Sequence, residues 1–580
     1  MRTPRRRPLL FAGVAVVLFV LVAAWLGFTA LQARSHLLQA RDEVSRLQDV
    51  VSAGETSQLT GGLAAVREDA AAARRWTSDP IWWLASHVPV LGRTFAASSG
   101  LARATDELAD GALPPLVQAA NQLSPTEVRR DDGSLDLARL TAASPYLEQA
   151  NTALVDARST VADLPTTGLV APVADAREEF ADQLGGLAGS LDAAARAARV
   201  GPAMLGADGP RRYLVVFQTP AEARGTGGLA GSYAIIRADN GELSREQTGS
   251  NEDLQDSPTP VVDLGPEFNA RWRATDVDRG WRNANATPHY PWAAEIWQKL
   301  WERQSGQQID GVITVDPIAL GYLLKVTGPV TLSDGEVLNG DNVAEWTLST
   351  EYFKYGDDNE RRKQLLTELA EKAFDRIKEG DGSSANLLRA MGRGAGEGRI
   401  LLWAERPAEQ AAVLGTPMAG TPLDTSTPLG ALVLNNGGAG KADYYVDRTL
   451  TYEVLSCADD SRRVRASITM KNNAPATGLP DYIGLRVDDP SAPRGQTRTF
   501  VNYYATAGAE LTGATVDGRP SQVTVGVERA HPVFAFDVEI DAGKSRTMVL
   551  EYTEPRADGA LRVPVQPLAR PMTVRLDTRC

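Results

Sequence analysis

The sequence has few of the residues that build metal sites and nucleophilic active sites. It contains two cysteines, Cys457 and Cys580, and four histidines that are far apart along the chain. The cysteine positions fit no zinc-ligand spacing, so zinc hydrolase and Cys/His protease chemistry are not expected. The net charge is −13, and such a chain lacks a broad cationic surface to neutralise phosphates. The sequence therefore predicts no nucleic-acid partner.

Residues 9–31, near the N-terminus, are mostly apolar and carry no charge. A helix of that length spans roughly 34 Å, enough to cross a bilayer core of about 30 Å. Four arginines and no acidic residue precede it: Arg2, Arg5, Arg6 and Arg7. Because cationic flanks stay inside, we predict a cytoplasmic tail (1–8), one transmembrane signal-anchor helix (9–31) and an extracytoplasmic bulk at the cell membrane. The alternative is a cleaved signal peptide, whose apolar core is usually shorter, about 7–15 residues.

Residues 32–205 are rich in alanine, leucine and arginine and show almost no strand signal. Apolar residues recur there at intervals of three and four, as in Leu37, Ala40, Val44 and Leu47. This spacing puts a narrow apolar stripe on each helix, and such stripes become buried by packing against one another. We therefore predict an all-α helical stalk or bundle over residues 32–205, for which a plain spacer is the simplest role.

Strand signals begin at Tyr213 and alternate with helical segments as far as residue 440. The predicted strands are 213–217, 232–237, 243–247, 309–315, 330–332, 400–403 and 431–434. Strands that alternate with helices are typical of a layered α/β domain, which we predict over residues 206–440.

From residue 441 the chain contains only short strand segments, such as 450–454 and 482–487, and polar turns. This pattern predicts an all-β sandwich over residues 441–580. Cys457 ends an early strand and Cys580 follows the last one. If these strands are neighbours, a disulfide between the two cysteines would tie down the C-terminus in an oxidising compartment.

Two polar segments lie between or after predicted strands and are candidates for ligand binding. Residues 218–228 combine three glycines with Arg224, which suits either a phosphate-binding loop or a flexible hairpin with an ion pair. Residues 250–254 include Asp253 and could hold a divalent cation or form an ordinary acidic loop.

A third candidate is the start of a predicted helix. Asp358, Arg361 and Gln364 are three residues apart and lie close on one helical face. An arginine near a helix N-terminus opposes the helix dipole, so a bound anion would explain its position. A solvated capping face is the alternative.

Residues 356–364 read Gly-Asp-Asp-Asn-Glu-Arg-Arg-Lys-Gln, after a helix signal at 338–342. This arrangement resembles the last core block of the LytR-CpsA-Psr family, with its pattern gDxxRxxRQ. Residues 309–332 are similar to another core segment of that family, and residues 250–253 lie where its PRD motif would fall. The whole chain also resembles a family of actinobacterial single-pass membrane proteins with a domain of unknown function, in which the phrase AExRxTGG, found here at 221–228, recurs.

The resemblance to LytR-CpsA-Psr proteins implies an extracytoplasmic α/β core that transfers glycan polymers from polyprenyl-pyrophosphate carriers onto peptidoglycan with magnesium. By position it implies substrate binding by Arg224, Arg361, Arg362 and Gln364, and metal binding by Asp253 and Asp358. The sequence departs from the family pattern twice. The early aspartate is replaced by residues 218–219, and the VRSR arginines by residues 347–350. A glycan phosphotransferase of this type would therefore lack two anion-binding positions and one metal ligand.

We therefore expect a membrane-anchored protein of the cell envelope and cell wall that binds, and could transfer, a polyprenyl-(pyro)phosphate-linked glycan. Membrane, carrier-linked glycan and peptidoglycan are its expected partners, and magnesium is the cofactor if it is catalytic. The alternative is a non-catalytic envelope scaffold or glycan-binding protein. The two functions differ in whether Arg224, Arg361 and an acidic group converge at one groove.

Overall fold

The computed structural model describes residues 7–53, 59–89, 91–123, 128–130, 132–379 and 384–580. The chain forms two compact units, Met1–Ala203 and Met204–Cys580. The first is helical. The second contains both the region predicted as α/β and the region predicted as a β-sandwich.

The first unit is built from helices rich in alanine, which is the strongest helix former. Within the described residues they are α1 (Arg7–Ala53), α2 (Leu59–Trp76), α3 (Pro80–Ser86), α4 (Gly92–Gly111), α5 (Leu113–Gln122), α6 (Leu137–Ala162) and α7 (Ala171–Met204). The carboxylates of Asp79 and Asp136 cap α3 and α6 by accepting backbone N–H bonds of the first turn. Leu101, Leu154 and Leu184 form part of the core between α4, α6 and α7, beside small buried alanines that allow close approach of the helices.

The predicted transmembrane helix over residues 9–31 is wrong. None of the helices in the described ranges is long and apolar enough to cross a membrane. The segment is the first part of α1, and its side chains are described from Val20 on. Thr29 is fully buried there, and its hydroxyl accepts a 2.8 Å hydrogen bond from the indole N–H of Trp82 in α3. Hydropathy did not reveal this polar contact between helices. The side chains of the four flanking arginines lie outside the described residues.

The first sheet of the second unit has five strands in the order β3-β2-β1-β4-β7. They are β1 (Arg211–Arg224), β2 (Gly227–Asp239), β3 (Glu242–Ser250), β4 (Gly311–Val315) and β7 (Ile400–Ala404). The apolar run that begins at Tyr213 forms the central strand, and only its pairing with β4 is parallel. Tyr290, Ile296 and Trp297 cover one face of this sheet with fully buried side chains.

Eight helices lie between the strands of this sheet or directly after them in the described part of the chain. They are α8 (Pro266–Trp272), α9 (Tyr290–Ser305), α10 (Pro317–Thr327), α11 (Val343–Glu345), α12 (Glu351–Tyr355), α13 (Asn359–Glu379), α14 (Ser384–Gly396) and α15 (Pro407–Leu414). A π-helical turn, Trp346–Thr350, connects α11 to α12.

Two predicted strands of the α/β domain belong elsewhere. Residues 330–332 were expected in the main sheet, but β5 (Val330–Thr331) pairs only with β6 (Val337–Leu338) in a separate hairpin. Residues 431–434 lie in β8 (Gly430–Asn436), which pairs with a strand of the C-terminal sandwich. An apolar run predicts a buried strand but does not reveal which sheet it joins.

Two sheets face each other in the C-terminal part of the second unit. Their strand orders are β13-β12-β16-β10-β9-β17 and β14-β15-β11-β8. The remaining strands are β9 (Val446–Cys457), β10 (Ser461–Asn472), β11 (Thr497–Ala505), β12 (Glu510–Val516), β13 (Arg519–Pro520), β14 (Thr524–Glu528), β15 (His531–Ile540), β16 (Ser545–Pro555) and β17 (Met572–Asp577). Alternate residues such as Ile468, Phe534 and Leu550 fill the space between the sheets. The strand predicted at 482–487 is wrong, because Asp481–Gly484 is a short helix, α16.

Cys457 and Cys580 form a disulfide, with 5.6 Å between their Cα atoms. The strand that ends at Cys457, β9, pairs in parallel with β17, the last strand before Cys580. The bond therefore links two neighbouring strands and attaches the end of the chain to the sandwich.

Candidate functional site

The glycine-rich segment 218–228 is not an open loop. Most of it lies in β1 and β2, and the chain turns sharply between Arg224 and Gly227. A Cβ atom on Gly225 would lie 2.3 Å from the carbonyl oxygen of Ala286, and one on Gly228 would lie 2.2 Å from the backbone of Thr219. The glycines therefore allow close approach of the chain's own backbone, where the sequence had suggested a ligand.

Arg224 is buried, and protein groups surround its guanidinium. Its Nε donates to the carbonyl of Arg282 (3.1 Å), Nη1 to the carbonyl of Ala223 (2.9 Å) and Nη2 to the carboxylate of Glu222 (2.9 Å). The second oxygen of Glu222 accepts a hydrogen bond from the ammonium of Lys441. Burial alone would raise the pKa of Glu222, but Lys441 and Arg224 outweigh it and lower that pKa.

Arg362 lies near Glu222, Arg224 and Lys441 in the fold, although it belongs to α13 and is distant from them in the sequence. Its guanidinium carbon is 4.8 Å from the ring centre of Tyr352 and 4.0 Å from that of Tyr482, and the two rings stack. Its Nη2 donates to the side chain of Asn359 at 2.8 Å. The ammonium of Lys441 lies 5.7 Å from the centre of the Tyr482 ring, so both cations lie near the same tyrosine.

Glu351 is the least satisfied member of this group. It begins α12 directly after the π-helical turn, and such turns are frequent at functional sites. The residue is fully buried, and neither carboxyl oxygen makes a hydrogen bond of normal geometry within the described residues, although Tyr352 acts on it as a hydrogen-bond donor that lowers its pKa. Burial raises the pKa of Glu351 to about 8, against the opposing effects of Arg362 and Lys441. The side chain is therefore a neutral acid at pH 7.

We call Glu222, Arg224, Glu351, Arg362 and Lys441 the charged cluster. Each of its members has less than a tenth of its surface exposed. Chemically, the cluster can bind segments of the chain together and hold a proton on Glu351. Direct contact with a dissolved phosphate or glycan would require it to open. The sequence analysis did not identify Glu351 or Lys441. The only indication of either residue was a charge next to apolar residues in the sequence.

The remaining residues predicted for an anion site do not form one cluster. Asp358 caps α13 by accepting the backbone N–H of Arg361 at 3.0 Å, and Gln364 donates to Glu360 on the surface. The side chain of Arg361 is half-buried and makes no hydrogen bond or ion pair with the described residues. At 3.6 residues per turn it lies about 160° around the helix from Lys363, on the opposite flank.

The acidic loop after β3 contacts the start of α13. The carboxylate of Glu252 accepts a 2.9 Å hydrogen bond from the side chain of Asn359 and forms an ion pair with Lys363. The hydrogen bond from Lys363 is the largest cause of the lowered pKa of Glu252. Asp253 instead accepts the backbone N–H of Ser250 at 2.7 Å.

Asp253 and Asp358 do not fit a magnesium site. Each carboxylate accepts a backbone N–H of its own turn. In the part of the chain that the structure describes, no group of three or more His, Cys, Asp or Glu side chains is arranged to hold a metal ion. Magnesium prefers several oxygen ligands in octahedral geometry. We therefore derive no chemistry from a metal at these residues.

Residues 347–350, where the related family has arginines, lie in the π-helical turn. Thr347, Leu348 and Ser349 are buried, and the Ser349 hydroxyl lies 3.2 Å from the hydroxyl of Tyr445. A cationic side chain would have to replace this apolar and hydroxyl packing. The surrounding structure therefore does not preserve an arginine-binding arrangement at this position.

Comparison with known proteins gives one match. Residues 208–352 match a family described as "Protein of unknown function (DUF4012)", and this range includes Glu222, Arg224 and Glu351 but not Arg362 or Lys441. No curated protein and no solved structure matches the chain. Residues 208–352 are therefore similar to a domain of unknown function.

Proposed function

We propose that this chain is a non-catalytic scaffold or binding protein of the cell envelope. The main support for this proposal is that the arginines expected to bind substrate instead contact other residues of the protein. Arg224 directs three nitrogens at protein acceptors, and Arg362 stacks against Tyr352 and Tyr482. Groups that stabilise a leaving pyrophosphate have to face the substrate, and these two do not.

A location outside the cytoplasm is part of this proposal. The Cys457–Cys580 disulfide supports it, because structural disulfides form and persist mainly in oxidising compartments. The bond also suits a scaffold, since it fixes the C-terminal strand of the sandwich.

Recognition of a polyprenyl-phosphate-linked glycan by a LytR-CpsA-Psr-like core is the second candidate function. Arg361 favours it, because this half-buried guanidinium has no side-chain partner among the described residues and lies in the first turn of α13. A bound anion would offset both the unpaired charge and its unfavourable position in the helix dipole.

Isothermal titration of the purified protein with polyprenyl pyrophosphate, with and without magnesium, separates the two functions. The scaffold proposal predicts no binding. Binding that Arg361→Ala weakens by roughly ten- to a hundredfold, as expected for a lost charge-assisted contact, would favour the second candidate. Arg575→Ala, which removes an exposed charge from β17, is the matched control and should leave any binding unchanged. Turnover in a glycan-transfer assay would overturn the non-catalytic assignment.

A further inference from the structure

The Cys457–Cys580 disulfide holds a strand that has few other attachments to the sandwich. β17 lies at the edge of its six-stranded sheet and pairs with β9 on one side only. No side chain of residues 571–580 is buried. Among the described residues, the side-chain hydrogen bonds of this segment join Asp577 to Arg579 within the segment itself. The strand is therefore held by its backbone hydrogen bonds, by partial burial at its start and by the disulfide.

The pairing of β17 with β9 gives little stabilisation beyond these backbone hydrogen bonds. It is parallel, and parallel pairing is slightly less stable per residue than antiparallel pairing. Met572, at the start of β17, is half-buried against the core of the sandwich, but Leu576 is 52% exposed. Asp577 lies opposite Glu453, and like charges on opposite positions destabilise strand pairing. The end of β17 nearest to the disulfide is therefore the part that most depends on it.

The chain just before β17 is anchored independently of the disulfide. The side-chain amide of Gln566 is buried and donates to the carbonyls of Arg224 (2.6 Å) and Leu434 (2.8 Å). The Nε of Arg570 donates to the carbonyl of Tyr444 at 2.8 Å. These contacts remain when the disulfide is broken. Reduction therefore frees only the segment that follows Arg570.

Both cysteines are exposed, so a thiolate can reach the bond. One thiolate of a dithiol attacks a sulfur of the disulfide, forms a mixed disulfide and expels the other sulfur as a thiolate, which takes up a proton. The second thiol of the reductant then attacks its own partner sulfur and releases the remaining cysteine as a thiol. In total two electrons and two protons pass to Cys457 and Cys580, and the dithiol becomes a disulfide.

We propose that this disulfide is a redox switch: reduction by a dithiol oxidoreductase releases residues 572–580 from β9, while the rest of the sandwich stays folded. In an oxidising compartment the bond is closed, and β17 completes the sheet. After reduction β9 becomes the edge strand, with unpaired backbone groups along residues 448–453. The inference goes beyond the proposed scaffold function and applies equally to the second candidate function.

Hydrogen exchange measured by mass spectrometry on the full-length protein, with and without dithiothreitol as the dithiol, tests the proposal. The disulfide closes a loop of about ten residues after Arg570, and such a cross-link suppresses opening by roughly a hundredfold. Exchange in residues 572–577 should therefore become about ten- to a hundredfold faster on reduction. Reoxidation with oxidised glutathione should restore the slow rate. β10, a central strand of the same sheet, should exchange more slowly than β17 in the reduced protein.

Three variants serve as controls. The double variant Cys457→Ser/Cys580→Ser should show the fast exchange with or without dithiothreitol. Asp577→Asn removes the like charge opposite Glu453 and should slow exchange of β17 in the reduced protein by up to about fivefold. Asp558→Asn changes an exposed aspartate outside the strands and should leave that rate unchanged.

The proposal is overturned if residues 572–577 exchange at the same rate in the oxidised and the reduced protein. It is also overturned if β17 and β10 exchange at equal rates after reduction, because the disulfide would then act on the stability of the whole sandwich. Exchange that stays fast after reoxidation would exclude a reversible switch. None of these outcomes bears on whether the protein binds polyprenyl pyrophosphate.

Discussion

Replacing Glu351 with glutamine is the sharpest test of the charged cluster. The side chain is fully buried, and its pKa is raised from 4.5 to about 8, primarily by burial. Between these values the folded protein holds a proton that the unfolded chain releases. Stability is therefore expected to fall as the pH rises through this window. Glutamine has nearly the same shape and no proton to lose, so Glu351→Gln should remove this contribution.

The size of the effect follows from proton linkage. Each pH unit between the unfolded and folded pKa costs about 1.4 kcal/mol of unfolding free energy. Between pH 5 and pH 7.5, wild type should therefore lose about 3 kcal/mol relative to Glu351→Gln. At pH 5 the two proteins should be nearly equal, since the wild-type carboxyl is then neutral.

Urea unfolding is measured at several pH values and is monitored by hydrogen exchange in residues 346–355. Because these residues lie in the second unit, the exchange reports on the unfolding of that unit alone. Glu360→Gln removes a glutamate from the exposed first turn of α13 and is the matched control, with an expected change below about 0.5 kcal/mol. If the difference in unfolding free energy between wild type and Glu351→Gln stays constant from pH 5 to pH 7.5, the conclusion that Glu351 is a buried neutral acid is wrong.

Two further predictions concern the fold. Replacing Cys457 and Cys580 together by serine should lower the unfolding free energy by about 2–5 kcal/mol, because the disulfide closes a loop with a sequence separation of 123. Reductant should destabilise wild type equally and leave the double variant unchanged in denaturant melts. Gly228→Ala should destabilise the second unit by about 1–3 kcal/mol, since its Cβ would overlap the backbone of Thr219. Gly513→Ala, which meets open space, is its control, and equal melting of the two variants would contradict this packing.

The parts of the fold that could be predicted from the sequence are those decided by local pattern. The run at Tyr213 is a strand, and the three-to-four spacing after residue 32 is helical, because side-chain periodicity acts within one element. The pairing of β8 with β11 could not be predicted, since partners in a sheet depend on distant segments. The same applies to residues 9–31, where a contact with Trp82 came from another helix.

The candidate site was predictable in its residues but not in its geometry. Arg224 and Arg362 were both singled out, and the structure places them in one cluster. Their partners, Lys441 and Tyr482, lie far away in the sequence, so no spacing could reveal that the arginines are occupied. Glu351 could not be singled out from the sequence, because its raised pKa arises from burial in the folded chain.

The charged cluster also bears on how far the matched domain extends. Residues 208–352 contain Glu222 and Glu351, together with Arg224, which pairs with Glu222. The other two cations of the cluster, Arg362 and Lys441, follow outside that range. The five-stranded sheet likewise takes its last strand from residues 400–404. Removing one partner of a buried ion pair is strongly destabilising, so Glu222 depends in part on Lys441 in the chain that follows the matched segment. Its role is therefore best sought in the second unit as a whole, which also carries the disulfide.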